Sequence, residues 1–477
     1  MQRHKASRDT KQSFLWFKHA AEAGDPYAQF NLGIMFKNGD PVGRDDGAAF
    51  YWLQQAARQG LAFAQNHLGA LYYKGRGVAK DDAAAFRWFK RAAVQGEASA
   101  QQNLGQLYRK GRGVAQSDVA ALGWYYKAAE QNVASAQNLL GECYLLGRGA
   151  AIDLPLAMAW FRKAAVLGEP NAQLHLGSMY QRGLGVPASQ TQALCWFRQA
   201  AAQGVAAAQR ELGIAYADGC GVRAESARAA AWLERAASQG DCSAQYRLAV
   251  LLASGRGTNS NPNPNPNPRP GAAKDDASTP AVALEWLQRA GEQAHVEAQI
   301  RLGAMYADGC GVARDEALAL AWFERAAAQG AATAQFHLGL MHANGRGVKA
   351  DAARAAAWYR LAAEQGNADA QNNLGALYAC GRGVARDDSQ AVACYRKAAQ
   401  GNHALAQYNL GSMLDQGRGV TRDPVEAYMW MLLAAANGDQ QAGAGKSAIG
   451  RGLSPAQIGQ ALDMFHQWQV ARNSLPD

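Results

Sequence analysis

The chain has 477 residues, 51 of them glycine, with a formal net charge of +9 and seven cysteines. That length exceeds one hydrophobic core and by itself suggests two to four domains, while the charge permits acidic partners but is modest for the size. An odd, scattered set of cysteines does not read as a disulfide framework, and without an apolar run of about 18 residues no membrane span is expected.

The start, MQRHKASRDT, is basic but lacks the apolar core of a secretory signal. As written, the chain reads as cytoplasmic; a start lying further upstream would make it periplasmic or secreted. The first helix is expected around Phe14, Trp16 and Phe17, with Asp9 in the opening position; either the ten leading residues are a loose cap or the true start lies upstream. No partner helix precedes it, so its apolar face needs a cover.

A fixed period then takes over. Leucine recurs at Leu32, Leu68, Leu104, Leu140, Leu176, Leu212 and Leu248, and again at Leu302, Leu338, Leu374 and Leu410. Every step is 36 residues except one of 54. A period of this size means stacked supersecondary units. An Ala-Gln pair precedes each leucine, from Ala28-Gln29 to Ala406-Gln407. Tryptophan keeps its own phase, at Trp52, Trp88, Trp124 and onward to Trp430, with Cys394 as the one break.

Each unit reads as two helices. Helix A carries the leucine and ends at a glycine seven residues later, such as Gly39 or Gly75, which suits a left-handed terminator. Helix B opens seven residues before the tryptophan. There stand Asp45, Asp81, Ser117, Asp153, Ser189, Thr279, Asp315, Asp351, Asp387 and Asp423, side chains that accept bonds from free helix-start amides. Glu225 is the exception. Helix B ends at Gly60, Gly96, Gly204, Gly240, Gly330 or Gly366, with Asn132 and Asn402 as substitutes that tolerate left-handed geometry. Recurrent alanines flank the tryptophan, so the ring is expected to fill the core between helices. On that reading Trp88→Ala costs about 3–5 kcal/mol.

These residues resemble the Sel-one-like repeat (SLR) family, bacterial type, relatives of the tetratricopeptide repeats. The segment AQNHLGALYYKGRGVAKDDAAAFRWFKRAAVQG, residues 64–96, carries its pattern nearly position for position. The resemblance implies an all-α fold, a right-handed α/α superhelical solenoid of 36-residue helix-turn-helix repeats. It divides the chain into an N-terminal cap or partial repeat (1–24), tandem repeats (25–257), an Asn-Pro-rich insert (258–276), further repeats (277–440) and a C-terminal capping helix region (441–477). That last helix should be capped by Ser454 and opened by Pro455. Ala249, Leu252, His342, Leu414 and Cys394 depart from the pattern and mark expected soft joints.

GRGV is not a phosphate loop. It lacks the G-x-x-x-x-G-K-[ST] spacing and follows a helix rather than a strand. It reads as the corner between the two helices, and its arginines, Arg76, Arg112, Arg148, Arg256, Arg346, Arg382 and Arg418, as solvated corner residues. No H-x-x-x-H or C-x-x-C spacing supports a metal, no catalytic triad can be assembled, and no cofactor is expected.

The resemblance implies a non-enzymatic scaffold or adaptor. Tetratricopeptide relatives line a concave groove with helix A. The outward positions of helix A lie between about 140° and 260° from the leucine at 100° per residue, and their contents vary most. Asn31, His67, Lys74, Asn103, Lys110, His175, Arg182, Arg210, Arg247, Arg301, His337, Asn373 and Asn409 are therefore the candidate protein-binding residues. The expected partner is a protein or peptide; no nucleic acid is expected. The family offers two alternatives: an envelope polysaccharide-assembly adaptor, and a secreted, cysteine-rich hydrolase with β-lactamase-like activity. The second places cysteine three before the leucine, where this chain has Gln29, Gln65 and their equivalents.

Overall fold

The computed structural model describes residues 2–255 and 278–473. Among these the chain forms 25 helices and no strand. Two compact units, Met1–Ala236 and Ala237–Asp477, divide within the helix Ser226–Ser238. Each unit is a row of helix pairs in which a helix packs on its chain neighbours. In the first unit the A helices are Pro26–Asn38, Ala62–Lys74, Ala98–Lys110, Ala134–Leu146, Pro170–Arg182 and Ala206–Asp218. In the second they are Cys242–Ala253, Val296–Asp308, Ala332–Asn344, Ala368–Cys380 and Ala404–Gln416. The Asn-Pro-rich insert and Arg256 lie outside the described residues.

The punctuation behaves as the side chains require. Asp81 accepts the Ala84 N–H at 2.9 Å, and Asp45, Asp153 and Asp315 do the same at their own helix starts. Gly75 and Gly111 end their helices at φ +66° and +63°, and the Arg112 N–H reaches back to the Leu107 carbonyl at 3.1 Å. This is the closure expected of a left-handed helix terminator. Helix B likewise ends left-handed at its glycines, at Asn132 and at Asn402. Ala294 takes that conformation too, at φ 65°. There its Cβ meets a carbonyl oxygen, at a cost of about 1–2 kcal/mol.

Three boundaries differ from expectation, the smallest being the helix Ser278–Glu292, which opens one residue before Thr279. The first helix runs Gln2–Glu22, so Asp9 lies inside it rather than at its start. Nothing in QRHKASRDTK breaks a helix, since it contains neither proline nor glycine. Its Phe14 and Phe17 pack on Ala21, Ala28 and Leu32, while Leu15 and Trp16 stay exposed. At the other end a second helix, Ala442–Gly450, precedes Pro455–Asn473. Its three glycines hide it from propensity. Ser454 and Gln457 then exchange bonds, side chain to backbone, as a capping box. Trp468 meets Trp430 at 5.1 Å between ring centroids and covers part of the last repeat's core.

The core is centred one residue away from where the tryptophans suggest. Leu53, Phe89, Tyr125, Phe161, Phe197, Leu233, Leu287, Phe323, Tyr359 and Tyr395, each next in sequence to that position, are buried. Phe89 faces Gly69 so closely that a Cβ on the glycine would lie 2.8 Å from the ring. The same fit recurs from Gly105 with Tyr125 to Gly375 with Tyr395. Of the tryptophans, Trp160, Trp322 and Trp430 are buried, most others are half-buried, and Trp16 is 65% exposed. The half-buried ring of Trp88 closes the preceding joint, packing on Ala56, Ala57, Ala64 and Leu68. Its other side is capped by the Arg91 guanidinium at 4.8 Å, a cation lid repeated by Lys127, Lys163, Arg235, Arg289 and Arg325.

Candidate protein-binding face and the joints that present it

The joints fix the A helices in register, and their chemistry is polar. The recurrent glutamine is buried in every repeat. Gln65 donates to the Ala57 carbonyl at the end of the previous helix B, at 3.1 Å. Its own Oε1 accepts from Gln95, at the end of the following helix B, at 2.8 Å. One side chain therefore ties three successive helices. The ladder continues through Gln59–Gln29, Gln131–Gln101, Gln203–Gln173, Gln293–Gln245, Gln329–Gln299, Gln365–Gln335 and Asn437–Gln407. Glycine, Gly401, stands at the donor position after Gln371 and leucine, Leu167, at the one after Gln137, whose buried Oε1 has no partner.

The GxG corner is a second joint. A Cβ on Gly113 would lie 2.1 Å from the Asp82 carbonyl oxygen, on the helix B of the preceding repeat. Gly149 meets Asp118, Gly383 meets Ala352, and Gly419 meets Asp388 in the same way. Several corner arginines are not the solvated residues that the sequence suggests. Arg112 grips the Asp82 carboxylate with two nitrogens, at 2.9 and 2.7 Å, and stacks on Tyr73. Arg346 pairs with Glu316 and Arg418 with Asp388. These acids sit 30 residues upstream, so the pairing is invisible to any local reading.

Two of the expected soft joints, His342 and Leu414, keep the same loop closure. The His342 carbonyl accepts the Asp351 N–H at 2.8 Å and the Leu414 carbonyl accepts that of Asp423 at 3.1 Å, whatever the side chain. Ala249 is buried against Leu287.

The candidate residues fall into two groups. Lys74, Lys110, Arg182, Arg247 and Arg301 are exposed and form no ion pair among the described residues. The others are half-buried and bonded along the A face. Asn103 donates to Asn66 at 2.9 Å and Asn409 to Asn372 at 3.0 Å, each reaching the preceding A helix. Asn31 turns back to the Tyr27 carbonyl, Asn373 accepts from Asn372, and Arg210 pairs with Glu211. His175 lies 3.3 Å from Glu142 and stacks on Phe161; His337 stacks on Phe323. His67 touches Phe30 and receives the Lys37 ammonium on Nδ1 at 3.3 Å. Burial and that ammonium push the His67 imidazole down to about 4.

All seven cysteines are free thiols, and burial raises Cys143 to about 11. Among the described residues no three His, Cys, Asp or Glu side chains gather to hold a metal, and no helix is long and apolar enough to cross a membrane.

Helix pairs clamped only to their neighbours define an α-solenoid repeat protein. The Sel1 repeat model matches thirteen copies, from residues 4–25 to residues 404–439, leaving only 265–276 and 331 unmatched between them. The chain belongs to the Sel1 repeat family. It is similar to the solved structure of c5321, a protective antigen of uropathogenic Escherichia coli with an SLR fold. Identity is 34%, the match covers 95% of this chain and 94% of that one, and the TM-score is 0.74. A Sel1 repeat protein from Oxalobacter formigenes is 31% identical over 55% of this chain and 96% of its own, with a TM-score of 0.46. No curated protein matches the sequence.

Proposed function

We propose that this chain is a non-enzymatic scaffold that binds protein or peptide partners through the outward faces of its A helices. The observation that carries the reading is the contrast between two sets of positions on the same helices. Inward positions repeat from unit to unit because the Gln clamp, the leucine and the Gly–ring contact admit little else. Outward positions vary most from unit to unit and leave Lys74, Lys110, Arg182, Arg247 and Arg301 exposed, without ion pairs among the described residues. A stacked core demands sameness, whereas recognition of a particular partner uses difference. The cysteine-rich hydrolase alternative gains no support. Its cysteine position is occupied here by the glutamine that clamps the joint.

The test combines Lys110→Glu, Arg182→Glu, Arg247→Glu and Arg301→Glu in the full chain. Partner capture in a pull-down from the native host should be lost, with the melting temperature within a few degrees of the parent, because surface changes usually cost under about 0.5 kcal/mol each. Capture that survives the four reversals but disappears when residues 258–271 are deleted places binding on that segment instead.

A further inference from the structure

The first three A helices, Pro26–Asn38, Ala62–Lys74 and Ala98–Lys110, contain no aspartate or glutamate. Their basic side chains, Lys37, His67, Lys74, Arg109 and Lys110, all belong to outward positions. Acids enter the row only with Glu142 on the fourth A helix, which interacts electrostatically with Arg109. Asp46, which interacts electrostatically with Arg76, is already held by Arg44 at 2.8 Å.

Aromatic side chains lead directly into this charge. Tyr27 and Phe63, one at the start of each of the first two A helices, are 63% and 56% exposed. Phe63 lies 6.3 Å from Phe30, and Phe30 lies 5.5 Å from His67, measured between ring centroids. Lys37 bonds the same His67 at Nδ1, is half-buried and makes no ion pair among the described residues. Burial and the neighbouring cations Lys74 and Arg76 hold the Lys37 ammonium below its ordinary pKa, so three cations converge at this end of the face. The successive rings are inclined by 41° and 39°. They form a wedge suited to one apolar side chain, not the run of parallel faces that stacked bases use.

We infer that the A faces of the first two repeats form a subsite for a peptide segment that pairs an apolar or aromatic side chain with a carboxylate. The side chain enters between Tyr27, Phe30 and Phe63, and the carboxylate reaches Lys37 and Lys74. The helix rise of about 1.5 Å per residue separates these ends by about 10–17 Å. An extended peptide covers that distance in three to five residues. The inference rests on the scaffold reading above and adds the partner's chemistry and where it enters.

The test selects 12-residue peptides from a displayed random library on the full chain. Affinities of the enriched peptides are then measured by fluorescence anisotropy. The expected peptides carry Asp or Glu three to five positions from Phe, Trp, Leu or Ile. Lys37→Glu with Lys74→Glu should weaken them at least tenfold, and Phe63→Ser about fivefold. The triple variant Arg182→Glu, Arg247→Glu, Arg301→Glu should leave them unchanged, although a native partner engaging further A helices is lost by it. Lys74→Glu alone, on an exposed side chain, serves if the double variant does not fold. Enriched peptides without acidic bias overturn the inference. So does binding that survives the Lys37 and Lys74 reversals but not the triple one, which leaves the scaffold reading standing. A 12-nucleotide poly-U strand that binds as well as the peptides, with the same sensitivity to the reversals, overturns it in favour of nucleic acid. A library that yields no binder overturns the inference, while the pull-down decides the scaffold reading by itself.

Discussion

Two side chains show how far one residue can reach in a repeat array. Leu167 stands where most repeats place a glutamine donor, and the buried Gln137 Oε1 is left without a partner. Leu167 is itself 51% exposed, so replacing it removes little packing. Leu167→Gln should therefore raise stability by about 1 kcal/mol, the worth of one recovered hydrogen bond, read from the denaturant midpoint at constant slope. His67 gives the opposite lesson. Its imidazole is held near 4, below the ordinary value of 6.5, by burial and by Lys37. The unfolded chain then binds more protons than the folded one between about pH 6.5 and 4, so stability falls as pH falls through that window. Partial solvent access trims the effect to about 1–2 kcal/mol. His67→Phe should flatten part of the slope of melting temperature against pH. An unchanged slope would assign the acid sensitivity to other groups; His337 and His295 are depressed in the same direction.

At the level of the helix, adjacent positions on helix B divide the work. Phe89 fills the space against Gly69 inside its own repeat, while Trp88 lies across the joint to the preceding one, under Arg91. Phe89→Ala should cost about 3–5 kcal/mol, as full truncation of a buried ring does. Trp88→Ala should cost less, about 1–3 kcal/mol, because part of its ring is already in water or under the guanidinium. Thermal melts of the two variants decide it; equal losses would return the tryptophan to the centre of the core. The distinction was not legible beforehand. Both positions are large, both recur, and the 100° between them leaves either able to face inward.

Within each unit most helix pairs are held by their neighbours through a Gln clamp, an apolar joint and, at several corners, an Arg–carboxylate grip. Stability in such arrays is close to a sum of repeat and nearest-neighbour terms. The four charge reversals proposed for the A faces touch none of these joints, which is why their melting temperature should hold while binding is lost. A drop of ten degrees or more would mean that the outward cations carry structure, and the functional reading would lose its main support.

The sequence by itself determined the period, the all-α class, most helix caps within the repeats, the left-handed terminators and the family. All of these depend on residues within one repeat, where spacing along the chain equals position in space. Only the tertiary structure decided which of two adjacent large residues is buried. It also decided that Gln65 bridges three helices, and that Arg112 is bound rather than solvated. Those outcomes depend on how one repeat is rotated against the next, and their partners lie 8 to 30 residues away. The same holds for the face proposed to bind. The cations could be counted in the sequence, but the contact of Lys37 with His67, and of His67 with Phe30, exists only because two A helices lie side by side.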